Sequence, residues 1–127
     1  MQSIKIQDES AAGDILNEIT LKFNEEYITL YDLIKARIEL EIERYHNQTT
    51  TYRGGLVIPT NLESKLNNKK PKPIDAEKQL YVALEAFKNN GFIVLVDNEQ
   101  VEEINQRVLV DEATIVSFIK LTPLVGG

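Results

Sequence analysis

The residues with the clearest chemical use are Gly126 and Gly127, which close the sequence. Because glycine has no Cβ, a glycine pair can thread a narrow channel and adopt backbone conformations that other residues avoid. A carboxylate on such an end can attack the α-phosphate of ATP to give an acyl-adenylate, and a thiol or sulfide can then replace the adenylate. The sequence has no cysteine. We therefore expect a passive carrier whose partner enzyme supplies ATP, magnesium and the nucleophilic cysteine.

Composition leaves little other side-chain chemistry. Zero cysteines exclude disulfides, thiolate metal sites and a cysteine nucleophile, and the single histidine, His46, excludes any site that needs two imidazoles. Twenty Asp and Glu against fourteen Lys and Arg give a net charge of −6. That balance argues against a primary nucleic-acid binder, whose affinity depends on neutralising phosphates. We expect no metal site, no cofactor bound by this chain and no nucleic-acid partner.

The remaining polar motifs favour structural roles. His46 is typical of a helix C-terminus. The pair Gly54-Gly55 lacks the context of a phosphate loop or a dinucleotide fold, so it indicates a flexible turn. The acidic pairs Glu25-Glu26 and Glu102-Glu103 indicate solvated turns, and the cluster Lys69-Lys70-Pro71-Lys72 indicates a soluble loop.

The length of 127 residues predicts one domain. No apolar run approaches the roughly 20 residues that cross a bilayer. The N-terminus lacks the basic-then-apolar layout of a signal peptide, so we expect a cytoplasmic protein without a membrane partner.

Alternating polarity predicts a strand at 19–23, a polar turn at 24–26 and a strand at 27–30, together a hairpin. Thr29 and Asp32 predict the start of a helix. Its apolar stripe comprises Leu30, Ile34, Ile38, Ile42 and Tyr45. The charged residues between them indicate a solvated face, namely Lys35, Arg37, Glu39, Glu41, Glu43 and Arg44.

The second half of the chain predicts a helix capped by Asp75 and ended by Asn90-Gly91. A buried strand at 92–96 follows, then a turn at 97–98, a short polar edge at 99–103, an apolar stretch at 108–110 and a final strand at 114–121. Residues 1–18 are expected to form an N-terminal extension, in which 3–7 fit a short strand and Ile15 and Ile19 a brief helical run. Residues 47–73 are expected to form an insertion and 122–127 a flexible tail. The predicted inner core comprises Leu21, Phe23, Ile28, Ile34, Ile38, Ile42, Leu84, Phe87, Val94, Val116 and Phe118.

The order of strand, strand, helix, strand, short strand and strand, followed by two glycines, resembles the β-grasp ubiquitin-like superfamily. The stretch 92–101, the strand 114–118 and the end Pro123-Leu124-Val125-Gly126-Gly127 are similar to molybdopterin synthase small subunits and the thiamine sulfur carrier. Residues 19–45 are similar to the family's hairpin and helix. The resemblance implies an α+β fold, with a mixed sheet packed against two helices on one face and an insertion after the first helix.

The added segments resemble more closely the bacterial ubiquitin-like proteins that are encoded beside activating and conjugating enzymes, some of them in antiviral defence. This implies a protein modifier and not an enzyme. The carboxylate of Gly127 would be adenylated by an activating enzyme that uses ATP and magnesium, then joined to an amine of a target protein. Pro123, Leu124 and Val125 would guide the tail into that partner. The resemblance also allows a conjugating enzyme and a deconjugating protease.

Two other functions stay open. In the first, the same carboxylate becomes a thiocarboxylate, and the chain is a sulfur carrier for cofactor synthesis. In the second, the chain is an interaction module that binds through its sheet face and never reacts.

Overall fold

The structure, a computed structural model, describes residues 2–47, 56 and 74–120, with the side chains of all of these except 45–47. The architecture is α+β, as predicted. Its elements in chain order are β1 (Gln2–Glu9), β2 (Ile15–Phe23), β3 (Tyr27–Thr29), α1 (Leu30–Asn47), α2 (Ala76–Lys88), β4 (Phe92–Val96), β5 (Glu99–Val101), β6 (Arg107–Leu109) and β7 (Ile115–Lys120).

Five strands form one mixed sheet in the order β2-β1-β7-β4-β5. β1 and β7 run parallel at its centre, and the neighbouring pairs are antiparallel. β3 and β6 form a separate antiparallel pair. The last strand therefore lies between two partners in the middle of the sheet.

β1 and β2 make the first hairpin, and this overturns two expectations. β2 pairs with β1 and not with β3, so the predicted hairpin of 19–23 with 27–30 is wrong. Residues 1–18, expected as an extension, instead supply β1 and the start of β2 within the main sheet. The short strand expected at 3–7 is confirmed within β1, whereas the helical run expected at Ile15 and Ile19 is wrong because both residues lie on β2. Ile4, Ile6 and Asp8 alternate inward along β1, a period-two pattern that the mostly polar residues between them obscure.

Helix α1 begins with the predicted cap. Thr29 Oγ1 accepts a hydrogen bond from the amide of Asp32 at 3.1 Å, and Asp32 Oδ2 accepts one from the amide of Thr29 at 3.2 Å. Leu30, Ile34 and Ile38 are buried as expected, together with Leu33. Of the rest of the predicted stripe, Ile42 is partly buried against the core, and the side chain of Tyr45 lies outside the described residues.

Helix α2 also has the predicted ends. The Asp75 carboxylate accepts hydrogen bonds from the amides of Glu77 and Lys78. At the other end Asn90 has a φ of 59°, and the amide of Gly91 donates to the carbonyl of Ala86 at 2.7 Å. The left-handed residue that ends the helix is therefore Asn90.

β4 and β5 are joined by the predicted turn, in which Asp97 and Asn98 both have positive φ angles of 49° and 71°. Two such residues form the type I′ turn that matches strand twist in two-residue hairpins. β5 is short, and its pairing with β4 ends at Val94 and Val101. The first two residues of β4 therefore lie beyond the β5 ladder.

Both helices pack on the same face of the sheet. The Phe87 ring of α2 lies 5.8 Å from the Phe92 ring of β4, and the Arg37 guanidinium of α1 lies 4.8 Å from the Phe118 ring centre of β7. The predicted core residues Leu21, Ile28, Ile34, Ile38, Val94, Val116 and Phe118 are buried, whereas Phe23, Ile42, Leu84 and Phe87 are only partly buried against it. The buried residues that were not predicted include Ile4, Ile6, Ile19, Phe92 and Val110.

The predicted insertion, 47–73, and tail, 122–127, lie almost wholly outside the described residues. The described exceptions are Asn47, which ends α1, and Leu56, whose side chain is fully buried. No helix in the described part of the chain has the length and apolar character to span a membrane.

Candidate functional site

The end of β7 is the part of the expected reactive site that the structure describes. Lys120 is the last described residue, and its Cα partner is Phe92 at the start of β4. On its other side β7 is paired with β1 as far as Ile119. β7 is therefore held along both edges as far as Ile119.

The predicted site residues themselves lie outside the described residues, namely Pro123, Leu124, Val125, Gly126 and Gly127. Seven residues follow Lys120. At about 3.3–3.6 Å per extended residue, they reach at most about 23–25 Å from it. Any function of the glycine pair is exercised within that radius of the end of β7.

A buried ion network lies beneath the end of β7. We define it by Asp8 of β1 with Arg37 and Glu41 of α1, which are at most 3% exposed. Arg37 Nη1 and Nη2 donate to Oδ1 and Oδ2 of Asp8, the second at 2.6 Å, and Arg37 Nε donates to Glu41 Oε2 at 2.9 Å. Asn17 Nδ2 also donates to Asp8 Oδ2, at 3.4 Å. One guanidinium thus joins two carboxylates on different elements.

The charges in this network support one another. Burial by itself lowers the pKa of Arg37, but the hydrogen bonds and charges of Asp8 and Glu41 outweigh burial and raise that pKa above its ordinary value. Burial also lowers the pKa of Lys120, the positive charge of Arg37 lowers it further, and Asp8 and Glu41 oppose the change. The pKa of Lys120 is therefore set by its burial and by the charges of this network together.

Glu41 also holds the segment that follows α1. Its Oε2 accepts a hydrogen bond from the amide of Leu56 at 3.0 Å, and both groups are buried. Because a buried amide without a partner costs about 1–3 kcal/mol, this bond stabilises the buried position of Leu56. Glu41 thus binds both Leu56 and Arg37, and Arg37 in turn binds Asp8 of the sheet.

Sequence reasoning missed this network. Arg37 and Glu41 were expected on a solvated face, and that expectation is wrong because both are buried against the sheet. Two signals pointed to it. Asp8 continues the inward alternation of Ile4 and Ile6, and the four-residue spacing of Arg37 and Glu41 places both on one helix face.

A cavity of about 610 Å³ opens beside the start of β4, where β5 ends short. We call it the edge cavity. Its apolar wall consists of Leu84, Phe87, Phe92, Ile93, Val101 and Ile104. Its volume lies within the range of about 300–1,000 Å³ that is typical of ligand pockets.

The structure describes only some of the other sequence candidates. Glu25, Glu26, Glu102 and Glu103 are exposed, as expected of solvated turns. The side chain of His46, the pair Gly54-Gly55 and the lysines of 69–72 lie outside the described residues. Over the side chains that the structure describes, no three His, Cys, Asp or Glu residues are grouped to hold a metal ion.

Comparisons with protein-family models, with curated proteins and with solved structures give no match to this chain.

Proposed function

We propose that the chain is a ubiquitin-like protein modifier with a β-grasp fold, and that it reacts through the carboxylate of Gly127. The observation that carries the proposal is the order of the main sheet. Without β3 and β6, which pair separately, the chain runs strand, strand, helices, strand, short strand, strand. The resemblance rests on the same succession of element types, although its first two strands are β1 and β2 and not the predicted 19–23 and 27–30. In the sequence the glycine pair comes after the last of these strands.

The proposed chemistry has three steps. A carboxylate oxygen of Gly127 attacks the α-phosphate of ATP on an activating enzyme, which forms the acyl-adenylate and releases pyrophosphate. A cysteine thiol of that enzyme then displaces AMP and forms a thioester. Finally, a target amine attacks the thioester, forms an amide and releases the thiol. The modifier contributes the carboxylate, while the partner supplies ATP, magnesium and the cysteine, so the modifier is a substrate and not an enzyme.

The position of Lys120 makes conjugation directly detectable. Lys120 is the last Lys or Arg of the sequence, so trypsin cleaves after it and leaves residues 121–127 on a modified lysine. We would express the chain with an N-terminal tag in cells that carry its gene and search digests for this seven-residue remnant. Remnants should appear with the full chain and with a Thr122→Ser control, and disappear when Gly127 is deleted.

Activation is tested separately by ATP–pyrophosphate exchange with the adenylating enzyme encoded beside the gene. Exchange should require the modifier and should stop when Gly127 is deleted. An exchange rate that is unaffected by the deletion would refute the proposed role of the carboxylate.

A sulfur carrier is the second candidate, favoured by the similarity of the end from Pro123 to Gly127 to thiamine and molybdopterin sulfur carriers. Intact mass separates it from the modifier. One sulfur in place of one oxygen indicates a thiocarboxylate, whereas a ladder of larger adducts indicates conjugation.

A non-covalent interaction module is the third candidate, and the face of the sheet opposite the helices favours it. Ile93 and Ile119 are paired across β4 and β7 on that face and are half-buried, and Ile115 is 41% exposed. Stable complexes that survive deletion of Gly127 and contain no remnant of 121–127 would support this function.

A further inference from the structure

β2 is a long edge strand of the main sheet. It comes first in the order β2-β1-β7-β4-β5, and no strand of the described residues pairs with its outer side. It is nine residues long, contains no proline and pairs with β1 without a break from Asn17 to Phe23. Edge strands are commonly shortened, bulged or interrupted by proline, because an open edge offers hydrogen bonds to another strand. The stretch 17–23 of β2 has none of these protections.

The exposed face of β2 carries an acid and a base at equal distances from Thr20. Glu18, Thr20 and Lys22 share this face and are exposed. Ile19 and Leu21 between them face the core and are buried. Glu18 lies two positions before Thr20, and Lys22 lies two positions after it. A second copy of β2 laid antiparallel, with Thr20 opposite Thr20, therefore places each Glu18 opposite the Lys22 of the other copy.

Symmetry and charge together select this register. A two-fold axis perpendicular to the sheet keeps every side chain on its own face, so one residue of β2 must pair with its own copy on the axis. An axis at Glu18 or at Lys22 sets like charges directly opposite each other, which is destabilising. An axis at Ile19 or at Leu21 leaves both charges opposite uncharged residues. Only the axis at Thr20 gives two pairs of opposite charges.

Glu18 also has a partner in its own chain. Lys5 Nζ of β1 lies 3.3 Å from Glu18 Oε1, and the two side chains are 44% and 50% exposed. A carboxylate has two oxygens that accept several hydrogen bonds, so Lys22 of the other copy adds to this pair without replacing it. Each Glu18 of such a dimer lies between a lysine of its own β1 and a lysine of the other copy.

We propose that two copies of this chain pair through β2, antiparallel and with Thr20 on the two-fold axis, to form one continuous sheet. Residues 17–23 of each copy form the new ladder, and Ile19 of one copy lies opposite Leu21 of the other. The edges of the two apolar cores therefore meet side by side, and the helices of both copies lie on the same face of the joined sheet. The dimer does not depend on the proposed function, because β2 is separated from β7 by β1.

Charge reversal followed by restoration tests the register in solution. Sedimentation equilibrium at about 1 mM protein should give the wild type a mass approaching twice 14.5 kDa, because a dimer with a Kd of about 100 μM is then mostly formed. Glu18→Lys alone and Lys22→Glu alone each set like charges opposite each other and should weaken dimerisation about ten-fold or more. The double variant Glu18→Lys with Lys22→Glu restores both opposite-charge pairs and should restore the dimer.

Glu39→Lys is the matched control, since it makes the same charge change at an exposed position of α1 and should leave the Kd unchanged. A wild-type mass that stays at 14.5 kDa over the whole concentration range would overturn the proposal. A double variant that dimerises as weakly as the two single variants would also overturn it, because the dimer would then use another register.

A single-cysteine measurement locates the axis and leaves every charge in place. The sequence has no cysteine, so Thr20→Cys puts the only thiol of each copy on the axis. Paired Cα atoms about 4.5–5.5 Å apart allow a disulfide. With glutathione disulfide as oxidant, two protein thiols form one intermolecular disulfide and two glutathione thiols are released. The control Leu16→Cys is also exposed on β2, but the two copies of residue 16 are about 27 Å apart in this register.

We expect the disulfide dimer of Thr20→Cys to form about ten-fold faster or more than that of Leu16→Cys, because only the first pair of thiols meets in the dimer. Equal rates for the two variants would overturn the proposal. Neither measurement uses ATP or an activating enzyme, so each succeeds or fails independently of conjugation.

Discussion

Arg37 and Asp8 form a bidentate ion pair inside the core, although 29 positions separate them in the sequence. The pair joins α1 to the central strand β1, and the Arg37 guanidinium also lies over the ring of Phe118 on β7. A single side chain thus links the helix to both of the parallel strands at the centre of the sheet.

Replacement of Arg37 by Met should destabilise the fold by about 3–5 kcal/mol, because it leaves buried carboxylates without their cation. Lys35→Met is the matched control, since it removes an exposed cation from the same helix and should change stability by less than about 0.5 kcal/mol. Urea unfolding followed by far-UV circular dichroism measures both, and tryptophan fluorescence is no substitute because the sequence has no tryptophan. Equal stability losses in the two variants would contradict a central role for Arg37.

Replacing the whole ion network should cost less than removing Arg37 alone. In the triple variant Asp8→Leu, Arg37→Met and Glu41→Leu, no buried charge of the three remains unpaired, and apolar groups of similar size often replace such networks without loss. We expect a remaining deficit of about 1–3 kcal/mol, because the amide of Leu56 loses its acceptor. The same urea titration checks this, and a triple variant less stable than Arg37→Met would show that the ions themselves stabilise the fold.

Leu56→Ala should destabilise the protein by about 2–5 kcal/mol, as for a fully buried leucine that leaves a cavity. Leu16→Ala is the control, since Leu16 is 53% exposed on β2. Thermal unfolding of the two variants under identical conditions gives the comparison. If both variants have the same melting temperature as the wild-type protein, Leu56 is not an anchor of the predicted insertion.

The lowered pKa of Lys120 gives a signed dependence of stability on pH. In the folded state Lys120 loses its proton at a pH below 10.5, which is the ordinary pKa of a lysine side chain. Between the lowered pKa and pH 10.5, the unfolded state therefore binds more protons than the folded state. Stability from this group therefore rises as the pH increases from the lowered pKa towards 10.5. The difference in unfolding free energy between wild type and Lys120→Met should increase with pH there. A difference that stays constant or falls, with an NMR titration of the Lys120 ammonium at its ordinary pKa, would contradict the burial argument.

Local signals in the sequence predicted the parts of the fold that are decided locally. The cap at Thr29, the left-handed end at Asn90 and the turn at Asp97 each depend on a few adjacent residues, and all three are confirmed. Pairing of β2 was predicted wrongly because 24–26 is a plausible turn, whereas the true partner β1 carries mostly polar residues between Ile4, Ile6 and Asp8. Whether β2 pairs with β1 or with β3 depends on the arrangement of the whole sheet and not on the adjacent residues alone.

The ion network shows a different limit. Arg37 and Glu41 have the composition of an exposed helix face, and only the position of Asp8 across the core makes them internal. Likewise, the edge cavity exists because β5 ends at Val101. No hydrophobic periodicity in the sequence predicts that strand end. Contacts between residues far apart in the sequence decide both the ion network and the edge cavity. The residues expected to react, Gly126 and Gly127, lie outside the described part of the chain.

The parallel pairing of β1 with β7 also sets the order of events during synthesis. β1 is made before β7 and cannot gain β7 as a partner until that strand has left the ribosome, so one edge of β1 stays open while residues 10–114 are made. Any nascent chain that stalls before β7 exposes that edge and the facing edge of β4. Aborted translation products of this protein are therefore candidates for aggregation or rapid degradation.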